Sequence, residues 1–223
     1  MARFTQPAGR KGSQKWIRKL VNEEPEILNS QIRKNLHLPD DEQIEWLSPL
    51  KRERYMEYHD EEFIKKLRVK LEKVPLKEFW PEGGPRWDAL GRSSSGKLFL
   101  VEAKSHISEL ISTSRAKDDD SKERIRKSLK ETKDYLNSKS ELDWSKCFYQ
   151  YTNRLAHLYL LRKKNELPAY LVFVYFINDL EMKGPTTVYE WKGAIQLLHS
   201  CLGIGRHKLR KFMIDVFVDL NRL

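Results

Sequence analysis

The chain has 223 residues, of which 39% are hydrophobic and 33% are charged, so it is long enough to fold around a hydrophobic core. Its 42 lysines and arginines exceed its 32 aspartates and glutamates, which gives a formal net charge of +10. This balance argues against a disordered chain and favours a polyanionic partner, nucleic acid above all, with a basic protein that binds no nucleic acid as the alternative.

The two cysteines and the apolar runs exclude several other classes. Cys147 and Cys201 have neither the spacing of a zinc site nor the number that a disulfide framework needs. No run approaches the roughly 20 apolar residues that span a membrane, and the first residues lack the apolar stretch of a secretion signal. We therefore expect a soluble, cytoplasmic protein that does not bind membranes.

The N-terminal part predicts helices. Residues 1–14 are polar and basic, and in them Arg10 and Lys11 are candidates for phosphate contacts, with a frayed terminus as the alternative. From there to Leu36, apolar residues recur at helical spacing, which predicts two helices broken near Pro25.

The following segment is charged and leads into a third helical pattern. Leu38–Asp41 predicts a turn and a helix start, and a helix with one apolar stripe is predicted from Asp60 to Pro75. Asp60 opens this helix and projects toward the side of the apolar stripe. It can also act as a simple N-cap. Residues 77–80 predict a short strand.

Residues 86–104 form the most informative stretch, because two short alternating runs flank a tip rich in glycine and serine. This pattern is typical of a β-hairpin. Side chains alternate along a strand, so Glu102 and Lys104 lie on one face at the end of the second run. If the hairpin turns about Ser95, Asp88 falls opposite Glu102, with Cβ atoms about 5 Å apart.

Two carboxylates and a lysine at one end of a hairpin make a candidate metal site. Neighbouring carboxylates repel each other unless a cation lies between them, and oxygen ligands suit Mg²⁺ or Mn²⁺. Such a cation would hold an attacking water, and Lys104 would orient that water or stabilise the transition state. A solvated ion pair on an exposed hairpin end is the alternative.

These residues resemble the PD-(D/E)xK nuclease superfamily, whose pattern is an acid on one strand and acid-x-Lys at the end of the next. Here the pattern reads Asp88, then Glu102-Ala103-Lys104, with Trp87 where the family name has proline. The resemblance implies a restriction-endonuclease-like fold, with Asp88, Glu102 and the carbonyl of Ala103 as metal ligands and Lys104 as a catalytic residue.

The resemblance also implies contributions from helices. Members of the superfamily usually bring a further acid from the helix before the hairpin, for which Asp60 is the candidate and Glu57 the reserve. Some relatives place a glutamine or tyrosine from a later helix near the metal. The helix predicted over residues 144–164 carries four polar residues that are candidate substrate contacts: Gln150, Asn153, Arg154 and His157.

The segment after the hairpin leaves two questions open. His106 is either a proton carrier near the site or a structural residue. Residues 112–121 form a polar loop that is either a flap over substrate or merely exposed, and Ser121 can cap the helix that follows.

The C-terminal part predicts two strands and a helix. Residues 170–177 are apolar without alternation, as in a strand covered on both faces, and residues 187–190 have capping-box spacing at the start of a helix. Residues 204–211 are strongly basic and are either phosphate contacts or a solvated linker. Residues 212–220 alternate and predict an edge strand.

The order of elements predicts an α/β fold, a three-layer α/β/α arrangement with a central mixed sheet, over residues 57–223. Residues 1–56 are predicted to form an N-terminal helical extension. With the resemblance, the expected function is a Mg²⁺- or Mn²⁺-dependent nuclease that hydrolyses phosphodiester bonds, in DNA rather than RNA. The alternative is a non-catalytic nucleic-acid-binding or scaffold protein that keeps the nuclease fold.

Overall fold

The computed structural model describes residues 11–223, and in this range the chain forms seven α-helices and five β-strands. Arg10 and the residues before it lie outside this range. The helices are α1 (Gly12–Asn22), α2 (Pro25–Leu36), α3 (Asp60–Lys66), α4 (Leu76–Phe79), α5 (Asp119–Tyr135), α6 (Tyr149–Tyr159) and α7 (Val188–Leu202). The strands are β1 (Ile44–Ser48), β2 (Ala89–Ser93), β3 (Leu98–Lys104), β4 (Ala169–Ile177) and β5 (Met213–Asp219). Among these helices, none has both the length and the apolar character that crossing a bilayer requires.

The five strands form one mixed sheet in the order β1-β2-β3-β4-β5. β2 runs antiparallel to both β1 and β3, while β3, β4 and β5 run parallel to one another. Parallel neighbours need crossover connections, which α5 and α6 supply between β3 and β4 and α7 supplies between β4 and β5. The predicted mixed sheet, with its antiparallel hairpin and helical crossovers, is confirmed.

Helices cover both faces of the sheet and bury two separate hydrophobic clusters. One cluster joins the sheet to α3, α4, α5, α6 and α7, and the other joins it to α1 and α2. The described part of the predicted extension, residues 11–56, therefore contributes one helical layer and also the edge strand β1.

Strand β3 divides its side chains between the two clusters. Leu98 and Leu100 belong to the cluster beneath α3 to α7, and Phe99 and Val101 to the cluster beneath α1 and α2. This is the alternation that the sequence predicts. It places Glu102 and Lys104 on the side of α6.

Two elements differ from the predictions. Leu38–Asp41 is followed by a strand, β1, and not by a helix, because this segment pairs with β2 and Trp46 lies opposite Gly91. The predicted strand over residues 77–80 was also wrong, since α4 occupies this region. Leu76, Phe79 and Trp80 have the three- and four-residue spacing of a helix and are all buried.

Helix α3 is shorter than the apolar stripe predicts. It ends at Lys66, and Arg68 adopts a left-handed conformation (φ 59°) that turns the chain away. The N–H groups of Lys73 and Val74 then donate to Oδ1 of Asn165, each over 3.1 Å. A longer helix would have paired these groups internally, so a tertiary contact replaces the helical bonds.

The loop after β4 lies directly against the end of β3. A Cβ added at Gly184 would overlap the backbone carbonyl of Ser105, the residue after Lys104, whereas a Cβ at Gly193 in α7 would meet nothing. We expect Gly184→Ala to lower the free energy of unfolding by more than about 1 kcal/mol, since backbone must move. Gly193→Ala should raise it by about 0.5–1 kcal/mol, because alanine is the better helix former.

Urea unfolding of both variants tests this close approach, with Gly193→Ala as the matched control. A Gly184→Ala variant as stable as the wild type would show that the loop does not lie this tightly against β3.

Candidate active site

The hairpin register brings the two motif acids together. Ala89 pairs with Val101, and the N–H of Asp88 donates to the carbonyl of Val101 over 3.1 Å. Oδ2 of Asp88 in turn accepts the N–H of Ala103 at 2.7 Å. The hairpin turns about Ser95 as predicted, and Asp88, one residue before β2, contacts Val101 and Ala103, the two chain neighbours of Glu102.

Glu102 is held between two cations. It is only 3% exposed, and its Oε1 lies 2.5 Å from Nζ of Lys104. Its Oε2 accepts from Nε of Arg154 at 2.7 Å and lies 2.5 Å from Nη2 of the same residue. Burial acts to raise the pKa of Glu102, but Arg154 and Lys104 outweigh it and keep this pKa below its usual value.

Lys104 is fixed by two side-chain oxygens. Besides Glu102, its ammonium donates to Oε1 of Gln150 on α6 over 2.8 Å. The side chain is 6% exposed, so its position is set by packing and by these two partners. Lys104 thus lies at the end of β3 with its charge directed toward α6.

Asp88 has the opposite electrostatic character to Glu102. Burial raises the pKa of Asp88 well above its usual value, and the negative charges of Glu102 and Glu57 raise it further. Lys104 and the N–H of Ala103 act in the other direction without reversing the shift. The surroundings of Asp88 therefore favour the protonated, neutral form of its carboxyl group.

Glu57, the reserve candidate, is the acid from outside the hairpin whose charge raises the pKa of Asp88, after burial and Glu102. Oε1 of Glu57 accepts from Nε2 of Gln14 at 2.7 Å, and the charge of Glu57 acts on Asp88. Oδ1 and Oδ2 of Asp60 accept instead from the N–H groups of Gly84 and Gly83 over 2.8 and 3.0 Å. Asp60 therefore holds the loop before the hairpin, a role that its position at the helix start made possible.

His106 takes part in local capping. Its Nδ1 lies 2.5 Å from the hydroxyl of Ser108, and its Nε2 lies 3.3 Å from Oε1 of Glu109. Glu109 also accepts the N–H groups of Ser105 and His106. These contacts stabilise the short 3-10 helix Ile107–Leu110 after β3. His106 therefore has the structural role that was one of its two predicted alternatives.

The four polar residues predicted on one helix have different positions. Gln150 and Arg154 contact the motif directly, and Asn153 accepts from Nη1 of Arg154 over 2.8 Å. His157 is buried among Trp80, Trp87 and Phe63, and burial lowers its pKa to about 4. The guanidinium of Arg154 also lies 4.8 Å from the ring centre of Trp87.

A cleft of about 630 Å³ opens beside Lys104. It is bounded by the start of α6 and by residues 111–115. Ser112 connects the two, because its carbonyl accepts the N–H of Tyr149 at 3.1 Å and its hydroxyl accepts the N–H of Gln150 at 2.8 Å. Lys104, Arg115 and Arg154 line it together with one acid, Glu109. The charge of this lining suits an anionic substrate.

The donor chemistry at the hairpin suits a hard divalent cation. Across residues 11–223, no three His, Cys, Asp or Glu side chains stand close enough to hold a metal without other ligands. Mg²⁺, however, is commonly bound by one or two carboxylates with water and substrate phosphate. The hairpin end has two carboxyl groups: Asp88, whose pKa is raised by burial and then by Glu102 and Glu57, and Glu102 itself.

In a comparison with protein-family models, curated proteins and solved structures, the chain matches none of them. The interpretation of the site therefore depends on its geometry and its charges.

The raised pKa of Asp88 predicts a pH-dependent cost in stability. Between the usual carboxyl pKa and the raised one, the folded chain retains a proton that the unfolded chain loses, so stability falls as the pH rises. Asp88→Asn removes this cost and keeps an oxygen for the N–H of Ala103. We expect the variant to be more stable than the wild type at pH 7, with the difference vanishing below about pH 4, as measured by urea unfolding.

Glu102→Gln should have the opposite effect. The substitution leaves Lys104 and Arg154 buried without the carboxylate that pairs with them. We expect a loss of about 3–5 kcal/mol in the free energy of unfolding at pH 7. Equal losses for Asp88→Asn and Glu102→Gln in the same assay would contradict the charge balance described here.

Proposed function

We propose that the protein is a divalent-metal-dependent nuclease of the PD-(D/E)xK type, which hydrolyses phosphodiester bonds in DNA rather than RNA. The observation that carries the proposal is the contact of Asp88 with both neighbours of Glu102, next to the buried ammonium of Lys104. The hairpin, the parallel strands after it and the helices on both faces support a restriction-endonuclease-like fold. A cytoplasmic location stays a prediction from composition.

Asp88 and Glu102 would hold the cation, Mg²⁺ or Mn²⁺, with the carbonyl of Ala103 as a further oxygen ligand and Glu57 as the additional acid. When bound, such a cation activates a water and offsets charge on the phosphate. The raised pKa of Asp88 supports this assignment, because burial and then two nearby acids disfavour its charged form, which a bound divalent cation would stabilise.

The chain's own cations would act on the phosphate. Hydrolysis adds a water oxygen to phosphorus and expels one ester oxygen, and negative charge increases on the other phosphate oxygens meanwhile. Lys104 lies at the edge of the cleft, where its ammonium would offset this charge or orient the water. Gln150 and Glu102 would keep that ammonium in place, and Arg154 would keep Glu102 in place.

One observation favours the second candidate, a non-catalytic nucleic-acid-binding or scaffold protein. Both carboxylate oxygens of Glu102 already have cationic partners, as in an ion-pair network that serves stability alone. In such a protein, Lys104 and Arg154 would connect β3 to α6 and no phosphate would be cleaved.

Lys104→Ala separates the two candidates. For a nuclease, we expect cleavage to fall by at least about 100-fold while DNA binding in Mg²⁺ persists, because the variant loses the charge that acts on the phosphate and keeps both acids. Purified protein would be assayed on supercoiled and linear duplex DNA, single-stranded DNA and RNA, with Mg²⁺ or Mn²⁺ and with EDTA.

The matched control is Lys97→Ala, since Lys97 directly precedes the opposite end of β3 and its ammonium donates to Ser95. This control should cleave like the wild type. Undiminished cleavage by Lys104→Ala would overturn the role of that residue, and the lack of any metal-dependent product from the wild type would favour the scaffold.

Metal affinity provides a test that does not depend on cleavage. Because the pKa of Asp88 is raised, a cation has to displace a proton from it, so Mn²⁺ should bind more tightly as the pH rises. Asp88→Asn should weaken binding and remove this pH dependence. Titration calorimetry at several pH values measures both effects, and an unchanged affinity would exclude Asp88 as a ligand.

A further inference from the structure

A second cavity, of about 880 Å³, lies at the opposite end of the parallel strands from the candidate active site. Its lining comes from Arg162 and Lys163, which precede β4, and from residues 205–212, which lead into β5, with Tyr135 at the end of α5. We call it the basic cavity. Nothing in the proposed cleavage chemistry uses these residues.

The lining has an unusual charge. Six of its side chains are cationic and none is acidic: Arg162, Lys163, Arg206, Lys208, Arg210 and Lys211. Within residues 11–223, only Arg210 of these six forms an ion pair, with Asp215 at 2.8 Å. Elsewhere the cations commonly have acids beside them, as on α5, where Lys122, Arg126 and Lys130 each pair with a neighbouring acid.

Polar groups in the walls also lack partners. Nε of Arg162 and both ring nitrogens of His207 are buried without a hydrogen bond to any described residue. A buried polar group without a partner costs about 1–3 kcal/mol, so such groups are typical of sites that a ligand completes. His207 and Arg162 both belong to the lining of the basic cavity.

Aromatic rings support the cations. The guanidinium of Arg162 lies 3.6 Å from the ring centre of Phe212, and the ammonium groups of Lys211 and Lys208 lie 5.1 and 4.9 Å from the rings of Phe212 and Tyr135. Rings and guanidinium planes beside several cations are the combination that binds nucleic-acid strands, where phosphates meet charge and bases stack.

The position of the basic cavity relates it to the candidate active site. Lys104 pairs with Tyr175 on β4, and Met213 at the start of β5 pairs with Leu171, four residues earlier on the same strand. Strand geometry then separates the two sites by roughly 15–20 Å, with the end of α5 at the basic cavity and the start of α6 at the cleft. This is the length of about five base pairs.

We propose that the basic cavity binds the sugar–phosphate backbone of a nucleic acid at a second point away from the cleavage site. This inference rests on the proposed function for the identity of the partner. The backbone carries a regular series of phosphates, which matches six cations spread over one cavity better than a single small anion does. The basic run over residues 204–211 is then a binding element, one of the two alternatives that its sequence left open.

Binding without cleavage tests the proposal. Anisotropy of a fluorescent strand and of a duplex of about 20 nucleotides would be measured in EDTA, across salt from about 50 to about 200 mM. The triple variant Arg206→Gln, Lys208→Gln, Lys211→Gln should bind about tenfold more weakly. It should also reduce the salt slope of the logarithm of affinity by about 2, since each lost phosphate contact removes about 0.7–0.9.

The matched control removes the same charge from α5, with Lys122→Gln, Arg126→Gln, Lys130→Gln. It should stay within about twofold of the wild type, because its cations have acid partners. Equal weakening in both variants would mean that total charge alone matters and would overturn the proposal. Unchanged binding by the cavity variant would overturn it as well.

Competitors identify the ligand chemistry. An unlabelled strand should displace the probe, and inorganic phosphate or polyglutamate at equal charge should not. Displacement by inorganic phosphate would identify the ligand as a free anion, and displacement by polyglutamate would identify it as an acidic peptide. Either result would overturn the proposal. The two proposals can fail separately. Cleavage that persists in the cavity variant without weaker binding would overturn only the basic cavity, and cavity-dependent binding in EDTA without any cleavage would overturn only the nuclease.

Discussion

The ion pairs of a single buried carboxylate, Glu102, determine how the hairpin and α6 meet. Two charged groups from different parts of the chain, Lys104 two residues away and Arg154 on α6, share its two oxygens. Burying a carboxylate is costly unless it is paired and hydrogen-bonded, so the chain has to bring β3 and α6 together in this one arrangement. Gln150, the loop at residues 111–115 and the cleft then follow from the position of α6.

The same arrangement gives Asp88 surroundings that disfavour its charged form. The hairpin brings Asp88 against the segment that carries Glu102, where its N–H donates to the carbonyl of Val101 and its carboxylate accepts the N–H of Ala103. Burial and then the charges of Glu102 and Glu57 raise the pKa of Asp88, and Lys104, which is paired with Glu102, does not reverse this shift. The raised pKa is a cost in stability above the usual carboxyl pKa.

The local part of this picture could be predicted from sequence because it depends on short-range rules. Side-chain alternation gave the faces of β3, the turn composition gave the hairpin register, and the spacing of Thr187 and Glu190 gave the capping box that begins α7. Strand β1 could not be predicted in this way. Trp46 and Leu47 face the two different hydrophobic clusters and are both buried, so this edge strand lacks the alternation of apolar and polar residues that marks a half-exposed strand.

The site residues outside the motif could not be predicted from short-range rules either. Arg154 lies 52 residues from Glu102, and Gln150 lies 46 residues from Lys104, so only the fold brings them together. The sequence offered both Asp60 and Glu57 as the additional acid. In the structure, Asp60 accepts hydrogen bonds from Gly83 and Gly84 in the loop before the hairpin. Polar residues at helical spacing on α6 were the one signal, and they indicated a polar face without indicating its partners.

The distribution of charge explains why the sequence total of +10 and the acidic motif are compatible. Near Glu102 the cations are paired with an acid, so they contribute little long-range attraction to a phosphate. In the basic cavity the cations have few acidic partners, so they contribute attraction that the hairpin lacks. A protein that cleaves a polyanion with carboxylates needs this separation, since affinity must come from one surface while a divalent ion overcomes repulsion at the other.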